Sequence, residues 1–414
     1  MAHVKPPKGG FFFSERFHVC YIFCIFAELN AVEIMSGDNI SVVPAMTARE
    51  LRRFARFNVQ LYKNNPYSVP DLIRDTVNSF KLSRNAALEF CEAQPFIAYM
   101  DGKIVGRVAA IINRKANEVW KVRTVRFGWI DFIDDIRVSG ALLEAVASWG
   151  RERGMDRLEG PFGFTDFDPE GMLTDGFDLI GTMATIYNYP YYPEHMRKLG
   201  LEPSATWVER HVPCLGVPEK MRHLTQVVLD RYNLHVAKFE RSKNAEAKIY
   251  ARKLFRLINE SFAPLYGYSA FSDKQIEDYS ERFVPLLDKR LAVFVLDSND
   301  ELVAGTLGMW SIARALQKAK GRLFPFGWWH LLKALKLKHP DTLEMLFVAV
   351  KPKYQNKGVS AVPFALLTQA AWDAGIKMGE SNPELETNIK VQSQWSYFKG
   401  VQIVRHRAVF FRMI

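Results

Sequence analysis

Short runs in which apolar and polar residues alternate give way to helically spaced apolar residues, and the chain does this twice. "NISVVPA" (39–45) alternates like a strand, and Thr47 then stands as an N-cap before "ARELRRFARFNVQLYK". The two prolines of "NNPYSVPDL" end that helix. "PFIAYMDGKIVGRVAAIIN" (95–113) predicts two strands hinged at Asp101-Gly102, a strong hairpin signal. "VRFGWIDFID" predicts a further strand, "VSGALLEAVASWGRERG" a helix closed by Gly154, and "DRLEGPF" another strand. The fold class is therefore mixed α+β, mostly antiparallel, with one strand–helix–strand crossover.

The order then repeats. "AKIYARKLFRLINESF" is helical, "LAVFVLDSNDELVAGTLGMW" (291–310) is a hairpin around Asn299-Asp300, and "DTLEMLFVAV" is a strand. "SAVPFALLTQAAWDAG" follows as a helix and "KMGESNPELE" begins another strand. "DGKIVGRVAAI" lies over "NDELVAGTLGM" at a shift of about 198. Asn188 precedes Gly200 by the same distance as Asn388 precedes Gly400. Matched order and matched landmarks predict a duplicated domain: an extension over 1–38, a first copy over 39–205 and a second over 206–414, meeting near "EPSATWVERHVP".

Composition narrows this only slightly. With 414 residues, 48% apolar and 24% charged, two ordinary globular domains are expected. A net charge of +10 implies affinity for an anion without choosing among nucleic acid, membrane and phosphorylated cofactor. The nine histidines have no metal-ligand spacing, so no metal is expected, and four cysteines fit a reducing, cytoplasmic setting rather than a disulfide framework. "FHVCYIFCIFA" (17–27) is about half the length that spans a bilayer and lacks a small-x-small cleavage site. It is read as part of an extension outside the fold, with a signal peptide as the alternative.

Chemistry concentrates in "VKPKYQNKGVSAVPF" (350–364), a turn between the strand "LEMLFVAV" and a helix. Such a turn offers a row of amides and the positive end of a helix dipole, and Gly358 removes the Cβ that would keep a ligand away. Lys351, Lys353 and Lys357 add cationic charge, so the turn suits a pyrophosphate; a plain helix-capping turn is the alternative. It is neither a Walker loop nor a dinucleotide fingerprint.

The run Gln355, Asn356, Lys357, Gly358, Val359, Ser360 resembles the coenzyme-A-binding turn of the GCN5-related N-acetyltransferases, [Q/R]-x-x-G-x-[G/A], with Ser at the last small position. The tandem order over residues 39–414 resembles a bacterial family with two such domains and a poorly defined role, as do "YKNNPYSVPDL", "GPFGFTDFDPEGMLTDGFD" and "RLFPFGWW". The resemblance implies two acyl-CoA N-acyltransferase-like domains and acyl-CoA or acetyl-CoA as co-substrate. Backbone of Phe347, Val348 and Val350 would then pair with the pantetheine arm, and the 355–360 amides would hold the pyrophosphate. A backbone N–H near Val348 would stabilise the oxyanion. Asn388, after the last parallel strand, would also contact the cofactor. Glu344, Glu380 and Glu386 are the candidate bases. The family's general-acid tyrosine falls on Trp395, which has no proton to give, leaving Tyr397 two residues on as the candidate acid.

The first copy reads "FIDDIRVSGALL" at the matching turn, and Asp134 and Asp135 would repel a pyrophosphate. A single working site in the second copy is therefore expected. The acid-rich "DFDPEGMLTDGFD" (166–178) starts like a calcium loop but carries Phe177 where a bidentate Glu is needed; it is read as a connecting loop or as a substrate-facing one. "GRLFPFGWWHLLKALKLKHP" (321–340) reads as a packing helix, a lid over an acyl chain, or a weak membrane contact.

The expected function is acyl-CoA-dependent N-acyl transfer to a small-molecule or peptide amine. The alternatives are a non-catalytic tandem binding module and an aminoacyl-type transferase on the same fold. No nucleic-acid-binding motif favours the last.

Overall fold

The computed structural model describes residues 40–238, 244–285 and 287–414; the expectations for the extension over 1–38 lie outside them. The first copy carries β1 (Ile40–Pro44), α1 (Ala48–Leu61), β2 (Cys91–Met100), β3 (Lys103–Asn113), β4 (Thr124–Phe132), α2 (Ile136–Arg151) and β5 (Arg157–Gly160). It ends with β6 (Met172–Asp175), α3 (Tyr191–Lys198) and β7 (Glu202–Pro213). After α4 (Glu219–Arg231) the second copy has β8 (His235–Val236), α5 (Asn244–Phe262), α6 (Asp273–Phe283), β9 (Ala292–Leu296) and β10 (Leu302–Trp310). There follow α7 (Ala313–Ala319), α8 (Gly327–Leu332), β11 (Thr342–Val350), α9 (Ala361–Asp373), β12 (Met378–Ser381), β13 (Glu384–Leu385) and β14 (Gln402–Met413).

Local chemistry explains the elements. Thr47 and Glu50 form a reciprocal capping box on α1, and Asp101 and Asp300 turn their hairpins with φ of 50° and 58°. The two crossovers are parallel, β4 beside β5 and β11 beside β12, while the other pairings are antiparallel. The helices α2 and α9 of these crossovers cover the sheet with Leu142, Leu143 and Val146 in one copy and Val362, Phe364 and Leu367 in the other.

All these strands join one sheet, ordered β1-β2-β3-β4-β5-β14-β7-β12-β11-β10-β9-β8. The order is a palindrome about its centre with one exchange. The closing strand of the first copy, β7, pairs with β12 of the second, and the closing strand of the second, β14, pairs with β5 of the first. β7 and β14 pair with each other along Glu202–His211. The expected 205/206 boundary thus falls inside β7. The seam is charged: Glu209, fully buried, accepts from Arg405 at 3.0 Å and from Arg407, both also fully buried.

Candidate functional site

The two crossovers open differently at their C-terminal ends. In the second copy β11 pairs with β12 only over Thr342–Met345, and a register break opposite Leu307/Gly308 leaves Leu346 as the extra residue. Asn382 closes the root of the fork, its amide donating to Met345 O at 3.3 Å and its side chain to Leu346 O at 2.8 Å. Beyond it, Phe347–Val350 keep β10 on one edge and no strand on the other among the described residues.

The equivalent fork in the first copy is filled. Phe162 donates to Phe127 O at 3.0 Å, and a Cβ on Gly128 would lie 2.3 Å from Phe162 O. Phe132 O accepts from the Tyr191 hydroxyl at 2.7 Å, and Phe132 N donates to Tyr192 Oη at 3.0 Å. Asp131 is held by Arg107, Asn58 and Tyr62. At its turn Asp135 caps α2 through Arg137 N, and Asp134 lies 3.1 Å from His195. Carboxylates and phenols of the protein itself thus occupy the end of this strand and its turn.

The second copy's turn leaves its groups available. Gly358 sits at φ 75° and Asn356 at φ 60°. The amides of residues 356–360 reach no hydrogen-bond acceptor among the described residues, and α9 begins right after them. Lys351 pairs with Glu301 at 3.0 Å and Lys353 with Asp297 at 3.7 Å. Lys357 makes no ion pair among the described residues; its ammonium lies 5.7 Å from both the Tyr232 and Tyr354 rings. One free cation, a left-handed glycine and open amides at a helix N-terminus fit a pyrophosphate.

The fork opens into a cavity of about 370 Å³, within the usual range for small-molecule sites. Its walls are apolar: Phe347, Val348, Met345, Leu307, Met309 and Phe255. Asn388 and Trp395 close one end, and the Trp395 indole donates to Glu384 at 2.8 Å. A larger groove of about 720 Å³ between β9 and α9 contains none of these groups.

The opposite wall comes from the first copy. Asp166, Phe167, Asp168 and Glu170 reach the cavity from the loop after β5, with the Phe167 ring 5.8 Å from that of Phe347. Burial pushes the Asp166 and Asp168 carboxyls up to about 6, and it pushes Glu170 well above the usual carboxylate range. Arg126 opposes each shift only in part. Asp166 accepts from Ser269 N and Asp168 from Thr165 N, whereas Glu170 Oε2 is buried with no hydrogen-bond partner. No group of three or more His, Cys, Asp or Glu among the described residues is arranged to hold a metal ion.

Of the residues the sequence singled out, Phe347, Val348 and Asn388 line the cavity, Val350 is buried at the end of β11, and 355–360 form the turn. Glu344 is wholly buried and has no face on the cavity. It accepts from Ser311 at 2.7 Å and from Met183 N at 3.3 Å, and burial raises its carboxyl to about 7, with Glu380 adding repulsion. Glu386 is exposed beside Thr206 and His406. Tyr397 is half-buried outside the cavity, with the Lys220 ammonium 5.9 Å from its ring. The acid run 166–178 reads from sequence as a connecting or a substrate-facing loop; its first part, 166–170, lines the cavity, whereas Asp175 lies exposed beside His406. Glu384, which lines the cavity and is bonded to Arg210 at 2.8 Å, carried no signal of its own.

No known family model matches the chain. Protein YghO of Escherichia coli (strain K12) is 26% identical over 332 residues, covering 79% of this chain and 83% of that protein. Bacterial ceramide synthase of Caulobacter vibrioides (strain NA1000 / CB15N) is 23% identical over 364 residues, covering 84% and 90%. Among solved structures, a tandem GNAT protein from the clavulanic acid biosynthesis pathway overlays with a TM-score of 0.50 at 10% identity, covering 90% of this chain and 98% of that one. A GCN5-related glucosamine N-acetyltransferase region of a fungal multi-domain β-N-acetylglucosaminidase gives 0.51 at 14%, covering 91% of this chain and 38% of that chain. The fold is that of a tandem GCN5-related N-acetyltransferase, and no described helix is long and apolar enough to cross a membrane.

Proposed function

We propose that this protein transfers a long acyl group from coenzyme A to the primary amine of a long-chain amino alcohol or similar amphiphile. One composite site would do this, with the thioester held by the second copy and the amine by the first. The observation that carries the reading is the single cavity: its apolar wall belongs to the open fork of β11, and its acidic wall to Asp166, Asp168 and Glu170. The relative named bacterial ceramide synthase supports the acceptor class, since a ceramide is an N-acylated long-chain amino alcohol.

Within this reading, Lys357 and the 356–360 amides hold the pyrophosphate, and the free edge of Phe347–Val350 pairs with the pantetheine arm. The acceptor arrives as an ammonium ion and lies against the carboxylates. An acid raised to about 6 is ionised at neutral pH yet basic enough to take up a proton. The carboxylate cluster removes the proton, and the amine nitrogen attacks the thioester carbon. The Val348 amide would stabilise the oxyanion, and the C–S bond breaks as the second proton of the attacking nitrogen passes through water to the departing thiolate. Trp395 supplies no acid, so this last proton does not require one from the protein.

The test is thiol release by purified protein across acyl-CoA lengths, with long-chain and short amines as acceptors. Turnover that rises with both chain lengths supports the reading. Absence of a thermal shift with every acyl-CoA, together with absence of thiol release, sinks it. Asp166→Asn should lower kcat while leaving acyl-CoA binding intact.

A further inference from the structure

Between Ala313 and Pro340 the chain has no acidic residue. Arg314, Lys318, Lys320, Arg322, Lys333, Lys336 and Lys338 are exposed, and none forms an ion pair among the described residues. Within the same stretch, Phe324 and Phe326 are 73% and 72% exposed, and Trp328, Trp329, Leu332 and Leu337 are exposed as well. Scattered exposed apolar residues are ordinary, but six within 14 consecutive positions, four of them aromatic, form a patch.

The patch stands on a rigid base. Ile73 N donates to Gly321 O at 2.9 Å, and Gln317 donates to Pro66 O and Ser68 O, fastening the segment to the first copy. Leu335 is buried in the same cluster as Leu307, Met309 and Phe255, three residues of the cavity wall. The helical segment 327–337 therefore turns one side inward beside the cavity and the other outward with its aromatics.

We infer that the exposed face of residues 314–338 seats the protein on an anionic membrane surface, with the aromatic residues in the headgroup region and the cations against lipid phosphates. Aromatic side chains flanked by lysines are what a bilayer interface accommodates, and a segment lying in that plane needs no bilayer-spanning length. Charge selects lipid over a second copy of this chain, because a two-fold dimer through this face would set seven cations against seven. The inference does not depend on the acyl-transfer reading; it supplies a source for amphiphilic substrates if that reading holds.

The experiment is co-sedimentation of the full chain with extruded vesicles of phosphatidylcholine alone or mixed with phosphatidylglycerol, at low and high salt. Wild type should pellet with the anionic vesicles and release as salt rises. Joint replacement Phe324→Ser, Phe326→Ser, Trp328→Ser and Trp329→Ser should weaken binding at least about tenfold, as should Lys333→Glu with Lys336→Glu. Both variants should keep the wild-type circular-dichroism spectrum and a single cooperative melting transition, so that lost binding is not lost fold. Wild type remaining in the supernatant with anionic vesicles overturns the inference. Equal binding to neutral vesicles, or lipid-free self-association lost in the aromatic variant, overturns it too.

Discussion

Asp168→Asn should make this protein more stable at alkaline pH while disabling it. The Asp168 carboxyl is half-buried at the cavity wall, its Cβ packed only 2.1 Å from where a Cβ on Gly163 would stand, and it accepts from Thr165 N at 3.0 Å. Burial, with repulsion from Asp166 added, lifts it from 3.8 to about 6. The folded state thus holds the proton more tightly than the unfolded chain does. The stabilisation is complete below about 3.8, is lost as pH rises through about 6, and is absent above. That interval corresponds to about 3 kcal/mol, an upper bound because cavity water screens the charge. Asparagine has the shape of the acid and the charge of its protonated form, and its oxygen still accepts from Thr165 N. Urea titrations of wild type and variant at about pH 4 should therefore agree within about 0.5 kcal/mol, whereas at about pH 8 the variant should gain up to about 3 kcal/mol. The same variant should lose amine-dependent thiol release. A variant less stable than wild type at the higher pH, or offset equally at both, would refute the claim that Asp168 is held ionised against its surroundings.

Glu209→Gln removes the carboxylate that both Arg405 and Arg407 address in the buried seam, and urea unfolding should show a loss of about 3–5 kcal/mol. Lys357→Glu should weaken coenzyme A binding by calorimetry at least about tenfold with an unchanged melting temperature, since its ammonium has no ion-pair partner among the described residues to abandon. Tyr397→Phe should alter turnover by less than about twofold, because the phenol lies outside the cavity. Glu344→Gln should flatten the decline of stability between about pH 4.5 and about pH 7, because the native acid is raised to about 7 and destabilises the fold as it ionises.

Much of the fold was legible because its signals are local. The Asp101-Gly102 and Asn299-Asp300 hairpins, the helices closed by glycine, and the repeated strand–helix–strand units all lie within windows of a few dozen residues. The turn at 355–360 was readable for the same reason: its chemistry is carried by consecutive residues. The exchange of β7 and β14 was not, because each strand would show the same alternation beside either neighbour. The carboxylate wall was legible only as an acid run with two readings. Whether Asp166, Asp168 and Glu170 face open solvent or the cavity is decided by packing of the second copy against them, through contacts such as Phe167 on Phe347. Glu344 shows the converse. Its strand position matched a catalytic pattern, yet Ser311 and the Met183 amide enclose it behind the cavity.

The crossed strands at the centre of the sheet bear on how such a chain can change over time. A gene that lost its first half would leave β14 without β5 and β12 without β7, so the first copy cannot be discarded whatever its own turn binds. Substitutions in the first copy's turn leave these pairings intact provided the strands remain, and the loop after β5 can vary while still lining the cavity. Two fragments cut in the linker between β7 and α4 would each lack a closing strand and carry its partner's. They should be found together or not at all, as the halves of a single inheritable unit.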